Sequence, residues 1–149
     1  MAKKEVVTDY WVRDLLVEAD VNLEPQGSTI LEIDNALKSA SKAGTGKVGF
    51  PEFVGVVKDF LIVIENKASM SKHKKLNDDV ISLDSKDVIS HAVNGALFYG
   101  QHLAKKTSYK KVIAFGISGN EKKHKISPIY IDETDYYREL PEVESFISF

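Results

Sequence analysis

Three residues in the middle of the 149-residue chain have types and a spacing that could do chemistry: Glu52, Glu65 and Lys67. Two apolar, β-branched runs, 50–57 and 60–67, flank Lys58 and Asp59, which is the pattern of a hairpin. With a two-residue turn there, Val57 opposes Phe60 and Glu52 opposes Glu65. A four-residue loop at the same centre keeps that pairing, and a three-residue loop turns it into a near diagonal. Directly opposed residues share a face, with Cβ atoms about 4.5–5.5 Å apart. Lys67 follows Glu65 by two positions and so joins the same face. Phe50, Val54, Val56, Leu61 and Val63 accompany the glutamates, and Phe53, Val57, Phe60, Ile62 and Ile64 take the other side. Both faces are apolar, so these strands read as central and covered. Two opposed carboxylates there repel each other and lose hydration. Either Lys67 or a divalent cation must offset them.

A hard cation with oxygen ligands suits this set. Mg2+ takes one or two carboxylates together with substrate phosphate oxygens and waters. A lysine beside it can orient or help deprotonate an attacking water, or stabilise charge developing on a phosphate. Burial lowers the lysine's pKa and neighbouring carboxylates raise it. The plain alternative is a structural charge cluster at a solvated sheet end. Asp59 is a rival first acid, but six strand residues put the turn about 20 Å from Glu65. Asp59 reads as a turn residue.

The elements that must position these residues are legible in outline. Residues 9–19 read as a helix, with Asp9 as a cap and Trp11, Leu15, Leu16 and Ala19 near helical spacing. VNLEPQGS is a loop. Thr29 to Glu32 fits a capping box opening a helix with Ile30, Ile33, Leu37 and Ala40 on one stripe. After the hairpin, ASMSKHKKLNDD is a polar, basic loop. A helix from Asp84 or Ser85 to about Lys105 follows, then strands KKVIAFGIS and KISPIYI. The order predicts an α/β sandwich around a mixed sheet.

The formal net charge is −2, and there is no cysteine. That excludes disulfides, thiolate zinc and cysteine nucleophiles. No apolar run reaches the ~20 residues of a membrane span, and MAKKEVVTDYW has no signal-peptide core. A cytoplasmic setting is the expectation. The charge is unevenly spread. Residues 132–149 hold six acids and one arginine, whereas Lys38 to Lys75 holds eight lysines against three acids. A basic body behind an acidic tail keeps nucleic acid in view.

Other features carry less. GTGK at 44–47 resembles the end of a phosphate loop, but Ser41 and Val48 stand where that motif needs Gly and Ser/Thr. Lys47, Lys72, Lys74 and Lys75 sit in loops flanking the motif strands and are candidates for phosphate contact, with ordinary solvated loops as the default alternative. His91 and His102 read as structural. His73 and His124 have no assignable role. Asn94 faces either the site or solvent, and packing explains Tyr99.

Pro51-Glu52, followed thirteen positions after Glu52 by Glu65-Asn66-Lys67, resembles the PD-(D/E)XK nuclease motif. Within that superfamily the chain is most similar to the N-terminal nuclease region of fused restriction-modification DNA methyltransferase proteins, type I or type IIG-like. The matching stretches are WVRDLL, QGSTILEIDNALKSASKAGTGKVGFPEF, DFLIVIENKAS, AVNGALFYGQHL and KKVIAFGISG. The resemblance implies a restriction-endonuclease-like sandwich over residues 1–131, with 132–149 an acidic connector to a downstream region. It implies an Mg2+- or Mn2+-dependent endonuclease acting on double-stranded DNA. Glu52 and Glu65 would bind the metal and Lys67 would be the catalytic lysine. Glu32 is the candidate for an additional acid, beside its reading as a helix-capping residue. Methylation and target recognition would belong to other regions, since no Asn-Pro-Pro-aromatic motif and no glycine-rich cofactor loop occur here. The first acid is Glu where the family usually has Asp. That keeps two other readings open: a silent nuclease-like DNA-binding or assembly module, and an unrelated interaction domain with a structural ion cluster.

Overall fold

The computed structural model describes residues 2–25, 30–38, 40, 51–134 and 136–146. Helix α1 runs Ala2–Glu18 and is followed by an edge strand, β1 (Glu24–Pro25). Helix α2 (Leu31–Leu37) precedes the hairpin of β2 (Phe53–Val57) and β3 (Phe60–Lys67). A single 3-10 turn at Met70–Lys72 leads to a short ribbon of β4 (Leu76–Asn77) and β5 (Val80–Ile81). Then come α3 (Ser85–Ser90), α4 (Ala92–Lys106), β6 (Val112–Gly119), β7 (His124–Ile131) and β8 (Tyr137–Glu139).

Among the described residues the main sheet has six strands in the order β1-β2-β3-β6-β7-β8. β3 and β6 are parallel, and every other neighbouring pair is antiparallel. Parallel neighbours need a crossover, and α3 and α4 supply it. The hairpin has the expected register. Val57 pairs with Phe60 and Phe53 with Ile64 around a two-residue turn in which Lys58 takes φ +55°. Pro25, which has no N–H to give a ladder, lies on an edge strand.

Alternation along the strands sorts the core into two halves. Val54, Leu61, Val63, Val112 and Ala114 pack with Leu37, Leu97 and Leu103 on the α2/α4 side. Phe53, Ile62, Ile64, Phe115 and Ile117 pack with Trp11, Val12 and Leu16 of α1. This is the expected α/β arrangement, a mixed central sheet flanked by helices. α4 lies close enough to β6 that a Cβ on Gly116 would stand 2.6 Å from the Val93 Cα.

Three expectations change. Asp9 is not a cap, because α1 begins seven residues earlier and encloses it. The long helix after Asp84 is two helices, broken at His91 (φ −124°, ψ 140°). There the Val93 N–H leaves the helical ladder and donates to the His73 carbonyl at 2.8 Å. The acidic segment after Asp132, expected as a connector, is partly built into the sheet. β8 pairs with β7, Val143 bridges Ile126, and Phe146 meets Phe115 edge-on at 5.1 Å. Tyr137, Val143 and Phe146 supply the packing that its acids obscured. No helix among the described residues is long and apolar enough to cross a membrane.

Candidate active site

Glu65 lies near the carboxyl end of β3 and is 2% exposed. Its side chain alternates with Val63 and so points toward α4. The helix makes room for it at Gly95, where an added Cβ would stand 2.9 Å from Glu65 Oε2 and 3.4 Å from its Cγ. One turn further along α4, Tyr99 is 1% exposed. Burial pushes its phenol pKa well above the ordinary value, and the charges of Glu65 and then Glu52 push it further. The charges of both carboxylates thus reach the Tyr99 phenol, which lies between helix and strands.

Glu52 sits one step beyond the β2–β3 ladder. The ladder ends at Phe53–Ile64, and the Glu52 N–H donates to the Ile64 carbonyl at 3.0 Å. The residue is half-buried, as is Lys67. Lys67 is in register with Ser118 on β6. The three candidate residues thus gather at the carboxyl ends of the two parallel strands, where open α/β sheets bind ligands.

The donor set fits a hard divalent cation. Both acids offer carboxylate oxygens, and the enclosed one is held by packing. Among the described residues no three His, Cys, Asp or Glu side chains form a metal-holding group. Mg2+ typically takes one or two carboxylates and fills its other positions with phosphate oxygens and waters.

The other sequence-derived candidates scatter. Glu32 is not brought to the cluster. Its two carboxylate oxygens accept from the Ser108 N–H and hydroxyl, each at 2.7 Å, beyond the far end of α4. The eleven helical steps from Gly95 to Lys106 alone span about 16 Å. The helix-capping reading also fails, because Ile30 is the N-cap and makes no side-chain cap bond. Lys47 and the GTGK stretch lie outside the described residues. Lys72, Lys74 and Lys75 are exposed, and Lys74 pairs with Glu139 at 2.8 Å. Asp59 is exposed in the hairpin turn.

Two residues proved more engaged than the sequence indicated. His73, in what reads as a solvated lysine loop, is 5% exposed. Its Nδ1 is 2.7 Å from Ser118 Oγ and its Nε2 is 2.7 Å from Ser127 Oγ. Burial, then Lys125 and Lys74, lower its pKa to about 4. Ser127 also donates to Glu142 at 3.4 Å, so it accepts from His73 Nε2–H, and Ser118 donates to Nδ1. Asn94 is fully buried and faces neither site nor solvent. Its carbonyl accepts from Lys75 N–H at 2.9 Å, and its amide donates to the Lys75 and Ser82 carbonyls at 2.8 Å each. Both residues fix the loop that leaves Lys67. A single His or Asn in a polar run gives no periodic signal that would have found them.

No protein-family model matches the chain, and no solved structure matches it. The chain is similar to the Type II restriction enzyme and methyltransferase RM.BcgI of Heyndrickxia coagulans, with 38% identity over 148 residues. The match covers 97% of this chain and 23% of that protein's length.

Proposed function

We propose that the chain is the metal-dependent DNA endonuclease part of a restriction-modification protein, with Glu52, Glu65 and Lys67 as its working residues. The observation that carries this is a carboxylate 2% exposed, seated against Gly95, two residues before Lys67 at the carboxyl end of a parallel strand. A buried acid in that place needs a cationic counterpart, and phosphodiester hydrolysis needs one as well. The similarity to a restriction enzyme fused to a methyltransferase supports the same reading.

Glu52 and Glu65 would hold Mg2+ or Mn2+ through carboxylate oxygens. The bound ion supplies charge stabilisation for the phosphoryl oxygens and the leaving oxygen. Glu65 gives a fixed anchor, since α4 and Tyr99 leave its side chain little freedom. Lys67 places an ammonium beside the phosphate, where it stabilises the charge that develops during water attack. The exposed lysines 72 and 75, next along the chain, hold the backbone of double-stranded DNA without reading its sequence. Methylation and target recognition belong to other regions of a longer protein.

The test is plasmid cleavage by the chain, and by a longer protein containing it, with Mg2+ or Mn2+ and with chelator. Metal-dependent cutting that Glu65→Ala and Lys67→Ala both abolish supports the proposal. Duplex binding with no cutting in the longer protein replaces it with the silent DNA-binding module.

A further inference from the structure

A concavity lies on the opposite face of the sheet from Gly95, between the later turns of α1 and the β1–β2 edge. It is an open cleft of about 260 Å3. Its floor is apolar, with Leu16, Leu23 and Phe53, and its rim carries Asp9, Tyr10 and Arg13. Two features tie it to the candidate active site. Glu52 forms part of its wall. Asp9 Oδ1 accepts a hydrogen bond at 2.8 Å from Asn66, the fully buried residue between Glu65 and Lys67.

The rim has a definite chemistry. The Arg13 guanidinium stands 4.7 Å from the centre of the Tyr10 ring, an arrangement that presents fixed donors beside a π-face. Asp9 is an acceptor held in place from below. The carboxylates of Asp9 and Glu52 in the lining disfavour a bare phosphate at this spot. They favour a group that offers N–H donors and an acceptor around a flat apolar ring. Ligand pockets commonly run from about 300 to 1,000 Å3, so this one suits a single ring system rather than a length of chain. A nucleobase has that size, that flat face and that edge.

We propose that this cavity is a nucleobase pocket that receives one unstacked base of the strand being cut, with its face against the apolar floor and its edge between Asp9 and Arg13. The choice of a DNA strand as the source rests on the nuclease reading. The pocket itself rests on the cavity, the Arg13–Tyr10 pair and the Asp9–Asn66 bond.

The experiment is a methyl NMR titration of the whole chain, following Leu16, Val21 and Leu23. The probes are deoxyadenosine, a short single-stranded oligonucleotide and inorganic phosphate. The expected result is a shift of these methyls with the nucleoside and the oligonucleotide and none with phosphate. Arg13→Ala and Tyr10→Ala alter exposed positions, so the fold should persist. Each should weaken binding about tenfold, the size of one lost charge-assisted or stacking contact. Silence with both nucleoside and oligonucleotide, equal shifts with phosphate, or shifts indifferent to both substitutions would overturn the pocket. Shifts with the nucleoside but not the oligonucleotide would overturn its DNA source. Cutting is not measured, so a chain that binds the base and never cleaves separates failure of the nuclease reading from failure of the pocket.

Discussion

Glu65 and Gly95 are matched in size: the carboxylate on β3 occupies the space that a side chain on α4 would take, with Oε2 2.9 Å from the Cβ position. The same Cβ would stand 3.0 Å from the Val88 carbonyl, so it cannot easily turn away. In Gly95→Ala either the carboxylate or the helix must shift, at about 1–3 kcal/mol for such overpacking. A lower thermal midpoint together with weaker Mn2+ binding by calorimetry is expected. Alanine tolerated with both quantities unchanged would show that Glu65 is not held there.

His73 should make stability depend on pH. Its folded pKa of about 4 lies below the ordinary histidine value of 6.5, so the unfolded chain takes up the proton first. The contribution of neutral His73 is complete above pH 6.5 and declines as pH falls toward 4. The full decline amounts to about 3 kcal/mol. Urea midpoints measured across that window should fall in the wild type, and His73→Gln should flatten this part of the curve. Parallel curves for the two proteins would contradict the assignment.

Asn94 should be worth more than its exposed neighbours. Its removal in Asn94→Ala strips partners from Lys75 N–H and from the Lys75 and Ser82 carbonyls. Unsatisfied groups of this kind cost about 1–3 kcal/mol each when water cannot reach them. Hydrogen exchange over residues 74–82 should accelerate before the rest of the sheet opens. Uniform acceleration across the chain would mean that Asn94 supports the global core instead.

The hairpin shows why part of this was readable. Alternation of Val54, Val56, Leu61 and Val63 against Phe53, Ile62 and Ile64 fixed both faces, and the two-residue turn fixed the register. Once Glu65 and Lys67 were placed on a strand of period two, their common side followed. What the sequence hid depends on contacts distant along the chain. His73 meets serines 45 and 54 residues away. Glu32, which matches a capping pattern locally, is claimed by Ser108, 76 residues on. At the break at His91 the Val93 N–H bonds to the distant His73 carbonyl, and no helix-stopping residue marks the place. β8 was masked because edge strands tolerate charge, so Asp132 to Glu144 read as acidic rather than as sheet.

The exposed lysines should act on affinity and not on stability. Lys74 is paired with Glu139 at the surface, where such bridges contribute about 0–1 kcal/mol. Lys72→Ala and Lys75→Ala should each lower the salt dependence of duplex binding by about one ion and leave the thermal midpoint in place. The loss should be equal for unrelated DNA sequences. An unchanged salt slope would remove both from the DNA surface.

The central claim is that Glu65 and Lys67 serve one hydrolytic site, and single-turnover plasmid cleavage tests it most directly. The comparison is wild type, Glu65→Gln and Lys67→Ala in the longer protein with Mg2+, with duplex binding followed in Ca2+. The account predicts at least a hundredfold or so loss of cutting in each variant, with duplex binding retained and Mn2+ binding lost only in Glu65→Gln. Cutting that survives either substitution, while the variant remains folded, would contradict it.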